Sequence, residues 1–469
     1  MAWEVPVAAV NGGVSFWYAA GGVPRPGPAL PGDADVDVCV VGGGYTGLWT
    51  AYYLKKAEPS LRIALLERRF CGYGASGRNG GWLYNGFAGR GAFARKYGRG
   101  RAAAMQRVMD EAVGEVACTA AAEGIEADVV RGGVLEVARS GPQLERLKAY
   151  VAAERGYGDG RVEELGAKET AERIAVAGAV GGAWSPYGAR IQPAKLVRGL
   201  ARVVRGLGVE VHEGTPVSAI LPGDAHRRPR AVTPHGTVTA DHVLRATEGF
   251  TAGLPGERRT WLPMNSAMVA TEPLPADFWA RAGWQGREVL GDFAHAYMYA
   301  QRTADDRIAL GGRGVPYRFG SRTDSDGSTQ VETVLQLRRI LDRFFPAAAH
   351  ARIDHAWAGV LGVPRDWCAT VELDRVSGLG RAGGYVGSGV TTTNLAGRTL
   401  RDLVLGRDTE LTALPWVGHT VRRWEPEPLR WLGVRAMYAA YHAADRQEAA
   451  GRTGTSPIAR AADLVSGRH

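Results

Sequence analysis

The chain has 469 residues, 45% hydrophobic and 22% charged, which is the composition of a globular protein long enough for two domains. Its formal net charge is +9, but the basic residues are scattered, nearly all are arginine, and they form no nucleic-acid-binding motif, so we expect no nucleic-acid partner. No apolar run approaches the roughly 18 residues of a membrane-spanning helix, and the first 30 residues lack a secretion-signal pattern, so we expect a cytoplasmic protein without a membrane partner.

The cysteines indicate neither a metal site nor a disulfide framework. Cys39, Cys71, Cys118 and Cys368 show no C-x-x-C pair and no spacing typical of zinc ligands. We therefore predict no bound metal ion. Cys39 lies inside an apolar run and is predicted to be a small buried hydrophobic residue.

Residues 1–33 are predicted to form an N-terminal leader. They contain the aromatic cluster Phe16–Tyr18, followed by the Pro- and Gly-rich stretch VPRPGPALPGD. We expect the aromatic side chains to pack on the body of the protein and the stretch after them to run as an extended connector.

Residues 35–67 carry the strongest pattern in the chain. The apolar run DVDVCVV stops at three glycines, a helical pattern follows, and RIALL predicts a second strand. Gly42, Gly44 and Gly47 have the G-x-G-x-x-G spacing, and Glu67 lies 20 residues after the last of them. Such glycines let a pyrophosphate approach the turn and the helix N-terminus, and such an acid binds a ribose. The pattern predicts a dinucleotide site.

The next stretch, residues 68–83 (RRFCGYGASGRNGGWL), has little side-chain bulk. Gly74, Gly77, Gly80 and Gly81 lie within eight residues of one another. A flexible surface loop would have this composition, and so would a backbone that lies flat against a large planar ligand. We favour the second interpretation, because the stretch directly follows the predicted ribose-binding acid.

The stretches VVGGGYTGLWTAYYL, LLERR and GYGASGRNGG together resemble the FAD-dependent D-amino-acid-oxidase-type family, which includes glycine oxidase, sarcosine oxidase and the gamma-glutamylputrescine oxidoreductases. GASGRNGG is most similar to the last of these branches. The resemblance implies FAD rather than NAD. It also implies an α/β fold, in which an FAD-binding Rossmann-like domain of the glutathione-reductase type is interleaved with an α+β substrate domain built on an antiparallel sheet.

Several cofactor-binding residues follow from the motif and the resemblance. In the N-terminal part they are Gly42, Gly44, Tyr45, Thr46, Gly47, Glu67, Arg68, Gly74, Ala75, Ser76, Arg78, Asn79, Gly80, Gly81 and Trp82. The resemblance further implies that Val217, in a strand within VEVHEGTPVSAI, meets the adenine through its backbone. It implies that Thr247 and Gly249 return the chain to the FAD.

Residues 383–405 (GGYVGSGVTTTNLAGRTLRDLVL) show a second Gly-rich turn followed by a helix. A helix N-terminus would stabilise the negative charge of a reduced flavin, and the resemblance places this segment at that ring. A plain strand-to-helix turn is the alternative interpretation. The implied cofactor-binding residues are Gly387, Gly389, Val390, Thr391, Thr392 and Thr393.

Residues 262–315 are predicted to form antiparallel strands (NSAMVATEPL, HAYMYAQRT and RIALGGRG) of the substrate domain. Alternation along HAYMYAQ would place His295, Tyr297 and Tyr299 on one face, which either borders the substrate cavity or packs in the core. We name Tyr299 and His295 as candidate catalytic residues.

Arg313, which is predicted to end the strand IALGGR, is the third candidate, because its guanidinium could bind a substrate carboxylate in a bidentate manner. A surface or phosphate-facing arginine is the open alternative. In sarcosine-oxidase relatives a lysine four residues earlier promotes reaction with O2, and here that position is Ala309. The electron acceptor is therefore O2 or another acceptor.

The tail contains an amphipathic pattern at 429–450, which we expect to dock on the body rather than on a membrane, and its last fifteen residues are predicted to be frayed. The predicted domains are an FAD-binding domain at 34–100, 186–260 and 353–410, a substrate domain at 101–185 and 261–352, and a helical tail at 411–469.

The resemblance implies oxidation of the C–N bond of an amine or amino acid to an imine, by hydride transfer to flavin N5, and hydrolysis of the imine. A dehydrogenase of 2-hydroxy acids or glycerol phosphate that uses a quinone or carrier is the alternative within the fold. A non-enzymatic flavin-binding protein is the alternative outside it. Sarcosine oxidases bind flavin through a cysteine at the position of Gly359, so we expect non-covalent FAD.

Overall fold

The computed structural model describes residues 8–157, 160–312, 317–323 and 326–466. The strands are β1 (Val10–Asn11), β2 (Ala34–Val41), β3 (Ile63–Leu66), β4 (Trp82–Tyr84), β5 (Val134–Ala138), β6 (Glu163–Gly166), β7 (Gly181–Ser185), β8 (Gly188–Arg190), β9 (Glu210–His212), β10 (Ala219–Leu221), β11 (Arg230–Thr233), β12 (Gly236–Arg245), β13 (Leu262–Thr271), β14 (Val289–Asp292), β15 (Tyr299–Arg302), β16 (Ile308–Gly312), β17 (Ile353–Val363), β18 (Thr370–Asp374) and β19 (Leu379–Gly383). The helices are α1 (Tyr45–Ala57), α2 (Arg90–Tyr97), α3 (Arg99–Ala122), α4 (Gly141–Glu154), α5 (Ala167–Arg173), α6 (Pro193–Gly206), α7 (Ala276–Ala282), α8 (Val331–Phe344), α9 (Gly389–Val404), α10 (Leu429–Ala449) and α11 (Pro457–Ser466).

One sheet forms the nucleotide-binding half of the fold. Its order is β10-β11-β12-β2-β3-β9, with β19 beside β12 and β18 beside β19. Strand β2 lies at its centre and runs parallel to both β3 and β12. Val38 and Val40 of β2 and Leu65 of β3 are buried, as parallel strands covered on both faces require. The predicted strand, turn, helix and strand are thereby confirmed.

Helices α1 and α9 pack closely beside this sheet. A Cβ built on Gly397 of α9 would lie 2.8 Å from the backbone carbon of Trp49 in α1, so glycine allows the two helices to approach. Both helices begin after Gly-rich turns. Both turns line one cavity, so the two helix N-termini lie on the same side of the domain.

A nine-stranded sheet forms the second half, in the order β1-β17-β13-β16-β15-β14-β5-β7-β6. The pairs from β17 to β14 and from β5 to β6 are antiparallel, whereas β14 and β5 are parallel. Strand β17 belongs to this sheet, although the sequence assigned residues 353–410 to the FAD-binding domain. It pairs with β13 over nearly its whole length, and this long ladder outweighs its closeness in sequence to β18 and β19.

The leader packs on the body through its aromatic residues, as predicted. Trp17 and Tyr18 are buried, and the ring of Phe16 stacks on Trp357 with centroids 5.9 Å apart. Before them, β1 extends the nine-stranded sheet beside β17. Cys39 is fully buried within β2, and the four cysteines are free thiols.

The tail forms two helices that pack against each other. Helix α10 confirms the predicted helix, but the prediction of a frayed end was wrong, because α11 lies within the last fifteen residues. Ala459 and Ala462 of α11 pack on Tyr441 and Ala444 of α10, and Asp463 accepts a hydrogen bond from the Tyr441 hydroxyl at 2.7 Å. This small apolar contact and the hydrogen bond hold α11 against α10.

Among the residues that the structure describes, none of the helices combines the length and the apolar character that a bilayer span would need.

Candidate functional site

The first Gly-rich turn brings the backbone of β2 against the segment that follows β12. Gly42 has a φ of +116°, and a Cβ built on it would lie 2.5 Å from the carbonyl oxygen of Ala246. A Cβ built on Gly47, in α1, would clash with the carbonyl oxygen of Gly42. The first glycine thus forms the turn, and the last lets α1 approach it.

Glu67 stands at the end of β3 with its carboxylate bound by backbone groups. Its Oε2 accepts a hydrogen bond from the N–H of Gly43 at 2.8 Å, and its Oε1 accepts one from Arg69 at 2.8 Å. Burial raises the pKa of Glu67, while these N–H groups oppose the shift. Its carboxylate is held in place beside the turn and borders a cavity.

Two tryptophan side chains donate hydrogen bonds to backbone carbonyls of the Gly-rich loop. The indole N–H of Trp357 in β17 donates to the carbonyl of Arg78 at 2.8 Å, and that of Trp17 donates to the carbonyl of Asn79 at 2.8 Å. On the other side, a Cβ on Gly80 would lie 2.7 Å from the ring of Tyr299. The loop is therefore a fixed wall and not a flexible surface loop.

A cavity of about 430 Å³ extends along the first turn, Glu67 and the Gly-rich loop. Its walls come from the ends of β2, β3 and β12 and from the N-termini of α1 and α9. The predicted cofactor-binding residues that line it are Gly42, Gly44, Tyr45, Thr46, Glu67, Arg68, Gly74, Ala75, Ser76, Asn79, Val217, Thr247, Gly387, Gly389, Val390 and Thr393.

Val217 lines this cavity from a loop, so its predicted place in a strand was wrong. Strand β9 ends at His212 and β10 begins at Ala219. The chain turns between them at Gly214, whose φ is +61°, and Pro216 can donate no ladder hydrogen bond.

A second cavity, of about 490 Å³, lies between the Gly-rich loop and the nine-stranded sheet. It shares five wall residues with the first cavity, so the two meet at the loop and the start of α9. The shared residues are Ala75, Asn79, Leu361, Gly387 and Val390. Three further predicted cofactor-binding residues, Arg78, Gly80 and Trp82, line the second cavity but not the first.

Five predicted cofactor-binding residues line neither cavity: Gly47, Gly81, Gly249, Thr391 and Thr392. The structure gives them packing contacts. A Cβ on Gly249 would lie 2.7 Å from Val360, and the Thr391 hydroxyl accepts the N–H of Tyr84 at 3.0 Å.

Tyr299 lines the second cavity beside the Gly-rich loop. It is the first residue of β15, its ring packs on Gly80, and its hydroxyl lies 2.8 Å from the Ser266 hydroxyl of β13. Trp82 packs edge-on to it with ring centroids 6.4 Å apart. These aromatic rings give the second cavity an apolar wall next to the Gly-rich loop.

His295 also lines the second cavity, but the predicted strand that would carry it was wrong. Residues 295 and 296 form a turn, which Asp445 of α10 fixes by accepting their backbone N–H groups at 2.8 and 3.0 Å. The His295 Nε2 lies 2.9 Å from Oε1 of Glu448. His295 therefore joins the cavity wall to the tail, while Tyr297 lines the same cavity.

Arg313 lies outside the described residues, so its candidate role stays a prediction. Ala309, four positions earlier, is buried in β16.

Sequence reasoning missed the contribution of the tail and of α4. Arg146 of α4 binds Glu448 through both terminal guanidinium nitrogens, at 3.0 and 2.8 Å, and also lines the second cavity. The two residues lie 302 positions apart in the sequence. The only signal was the polar face of the predicted tail helix, which does not indicate a partner.

The residues present fit an FAD. The turn at Gly42 and Gly44 has no room for a side chain, Glu67 borders the same cavity, and the loop beyond it connects to a second cavity. Gly42, Gly44 and Glu67 would hold FAD in the first cavity, where it would supply the redox chemistry.

The chain is similar to known proteins over most of its length. The family model "FAD dependent oxidoreductase" (DAO) matches residues 37–403. Gamma-glutamylputrescine oxidoreductase of Escherichia coli is 30% identical over 403 residues, which cover 84% of this chain and 89% of the relative. A solved glycine oxidase of Geobacillus kaustophilus superposes with a TM-score of 0.66 at 21% identity, over 82% of this chain and 100% of that one. The chain therefore belongs to the DAO family of FAD-dependent oxidoreductases.

Proposed function

We propose that this enzyme oxidises the C–N bond of an amine or amino acid. A hydride equivalent leaves the carbon that bears the nitrogen, the resulting imine is hydrolysed by water, and a carbonyl compound and an amine or ammonia are released. FAD, when bound, supplies the hydride acceptor at N5. The observation that carries the proposal is the wall shared by the two cavities, which would bring a substrate in the second cavity next to a flavin in the first.

The chain's own residues would position substrate and exclude water. Trp82, Tyr297 and Tyr299 offer apolar faces to the reacting carbon, and Gly80 leaves the wall without a side chain. The α9 N-terminus at Gly389 presents backbone N–H groups to the shared wall, where they would stabilise negative charge. Tyr299 and His295 would contribute by positioning the substrate.

The names of the relatives support a nitrogen substrate. One curated relative is a gamma-glutamylputrescine oxidoreductase and another, from Bacillus licheniformis, is a glycine oxidase at 25% identity. No property of the described cavity favours a 2-hydroxy acid or glycerol phosphate. Oxidation of a C–O bond therefore remains the outcome that would refute the proposal.

The products decide between the two reactions. Turnover of an amine panel should release one carbonyl compound and one amine or ammonia for each electron pair that an added dye accepts. A carbonyl product without released nitrogen, from a hydroxy acid, would establish C–O oxidation instead. The same assay with air in place of the dye shows whether O2 accepts the electrons.

We expect FAD to be held without a covalent bond. Gly359 occupies the position of the flavin-linking cysteine, and Cys368 is buried with its thiol 3.4 Å from the Asp366 carbonyl. Denaturation followed by ultrafiltration should therefore release all of the yellow colour. Colour that stays with the precipitated protein would contradict this prediction.

A further inference from the structure

Part of the second cavity's wall is not shared with the first cavity, and there Glu136 of β5 stands beside Gly291 of β14 and close to Trp82 of the Gly-rich loop. The two residues face each other in register across the sheet. A Cβ built on Gly291 would lie 3.5 Å from the Oε1 of Glu136 and 3.1 Å from the ring edge of Trp82. Glycine therefore leaves an open space between a carboxylate and an aromatic ring.

The Glu136 carboxylate has no hydrogen-bond or ion-pair partner among the residues that the structure describes, yet it borders the cavity. The neighbouring charges are already engaged or also negative. Glu154 of α4 is paired with Arg90, and Asp292 accepts the N–H of Met298 at 2.9 Å. Tyr150 is the other titratable group facing Glu136. Burial, and then the carboxylates of Glu154 and Asp292, raise the pKa of Glu136 to about 7.

The cations of the described cavity wall cannot neutralise Glu136. Arg146 is held by Glu448 and by the carbonyl of Phe293, and Arg78 donates to the carbonyls of Tyr73 and Ala358. A buried carboxylate without a counter-charge is costly, and a ligand cation removes that cost. An aromatic ring beside the same space adds attraction for a cation.

We propose that the space between Glu136, Gly291 and Trp82 is a subsite for a second cationic group of the substrate. The preferred substrate is then an amine with an ammonium or guanidinium group remote from the carbon that is oxidised. This inference rests on the proposed function, because the cation is bound at the far end of a molecule whose other end reacts at the shared wall.

Linear diamines of increasing length, each paired with the monoamine of the same length, test the subsite. The best diamine should exceed its monoamine in kcat/KM by about 10- to 100-fold, the value of a charge-assisted hydrogen bond. Glu136→Gln should remove most of this preference and change kcat/KM for the monoamine by less than about 2-fold. The control Glu164→Gln, an exposed residue of β6, should behave like the wild type.

Gly291→Ala tests the space without changing charge. Its methyl group fills the gap beside Glu136, so it should also lower the preference for diamines. Equal losses for diamines and monoamines, or an unchanged preference in Glu136→Gln, would overturn the subsite. Amines that reduce the flavin without any preference for a second cation would also overturn it, while leaving the proposed function intact.

A binding measurement separates the two proposals. The holoenzyme with an excess of the diamine, kept without any electron acceptor, should show a higher thermal midpoint than with the monoamine. This difference should vanish in Glu136→Gln. If no amine is turned over but the difference is present, the C–N oxidation fails and the cation subsite stands. If the difference is absent in the wild type, the subsite fails.

Discussion

Gly42→Ala is expected to yield a protein without flavin. The residue has a φ of +116°, which an alanine rarely adopts, and its new Cβ would lie 2.5 Å from the backbone oxygen of Ala246. Backbone at that point cannot yield as a side chain would, so the turn must open where a pyrophosphate would bind. The ratio of visible flavin absorbance to protein absorbance measures the effect directly.

Two further alanine variants calibrate this result. Gly44→Ala places its Cβ 3.0 Å from the Ser76 hydroxyl in an allowed backbone conformation, so a partial loss of flavin is expected. Gly114→Ala lies in α3 with no atom within 4 Å, and should keep full flavin and gain up to about 1 kcal/mol of stability. Circular dichroism of Gly42→Ala separates loss of flavin from loss of fold. Full flavin in a folded Gly42→Ala protein would contradict the site.

Glu448→Ala is expected to lower the free energy of unfolding by about 3–5 kcal/mol, the cost of leaving a buried charge unpaired. Its carboxylate is 2% exposed, binds Arg146, and lies 2.9 Å from the ring of His295. Because both partners line the second cavity, KM for the substrate should also rise. Denaturant unfolding followed by tryptophan fluorescence measures the stability change.

The exposed neighbour Arg446 offers a matched control, and Arg446→Ala should change stability by no more than about 0.5 kcal/mol. A Glu448→Ala protein as stable as this control would show that the tail does not brace the cavity.

The same contact predicts a dependence on pH. Burial alone would raise the pKa of Glu448, but its hydrogen bonds to Arg146 and His295 outweigh burial and hold the pKa below its ordinary 4.5. A lowered folded pKa gives stability that is complete above about pH 4.5 and is lost as pH falls through the folded value. The stability difference between the wild type and Glu448→Gln should therefore shrink in acid. A difference that is constant from pH 7 to pH 3 would refute this account.

Local sequence was enough to predict the nucleotide-binding unit. The turn at Gly42, the helix after it and Glu67 are close in sequence, and their spacing is dictated by one strand–turn–helix–strand geometry. The tail helix was likewise recognised from local periodicity. Short polar or glycine-containing breaks between strands were predicted less accurately. Val217, after Gly214, lies in a loop and His295 lies in a turn, although both were predicted to lie in strands.

The second cavity could not be predicted in the same way. Arg146 and Glu448 pair across 302 positions of the chain, and nothing near either residue in sequence indicates its partner. The long ladder of β17 with β13 was missed for the same reason, since strand pairing is decided by tertiary contacts rather than by proximity along the chain. Local patterns predicted the dinucleotide site and the family resemblance implied FAD, whereas the wall of the second cavity is a property of the folded chain.

The absorbance spectrum of the purified protein, taken anaerobically before and after addition of amines and of 2-hydroxy acids, tests the central claim most directly. The account predicts an oxidised-flavin spectrum that an amine bleaches and that hydroxy acids leave unchanged. A protein that takes up no flavin when FAD is added, or whose flavin is bleached by a hydroxy acid and by no amine, would contradict it.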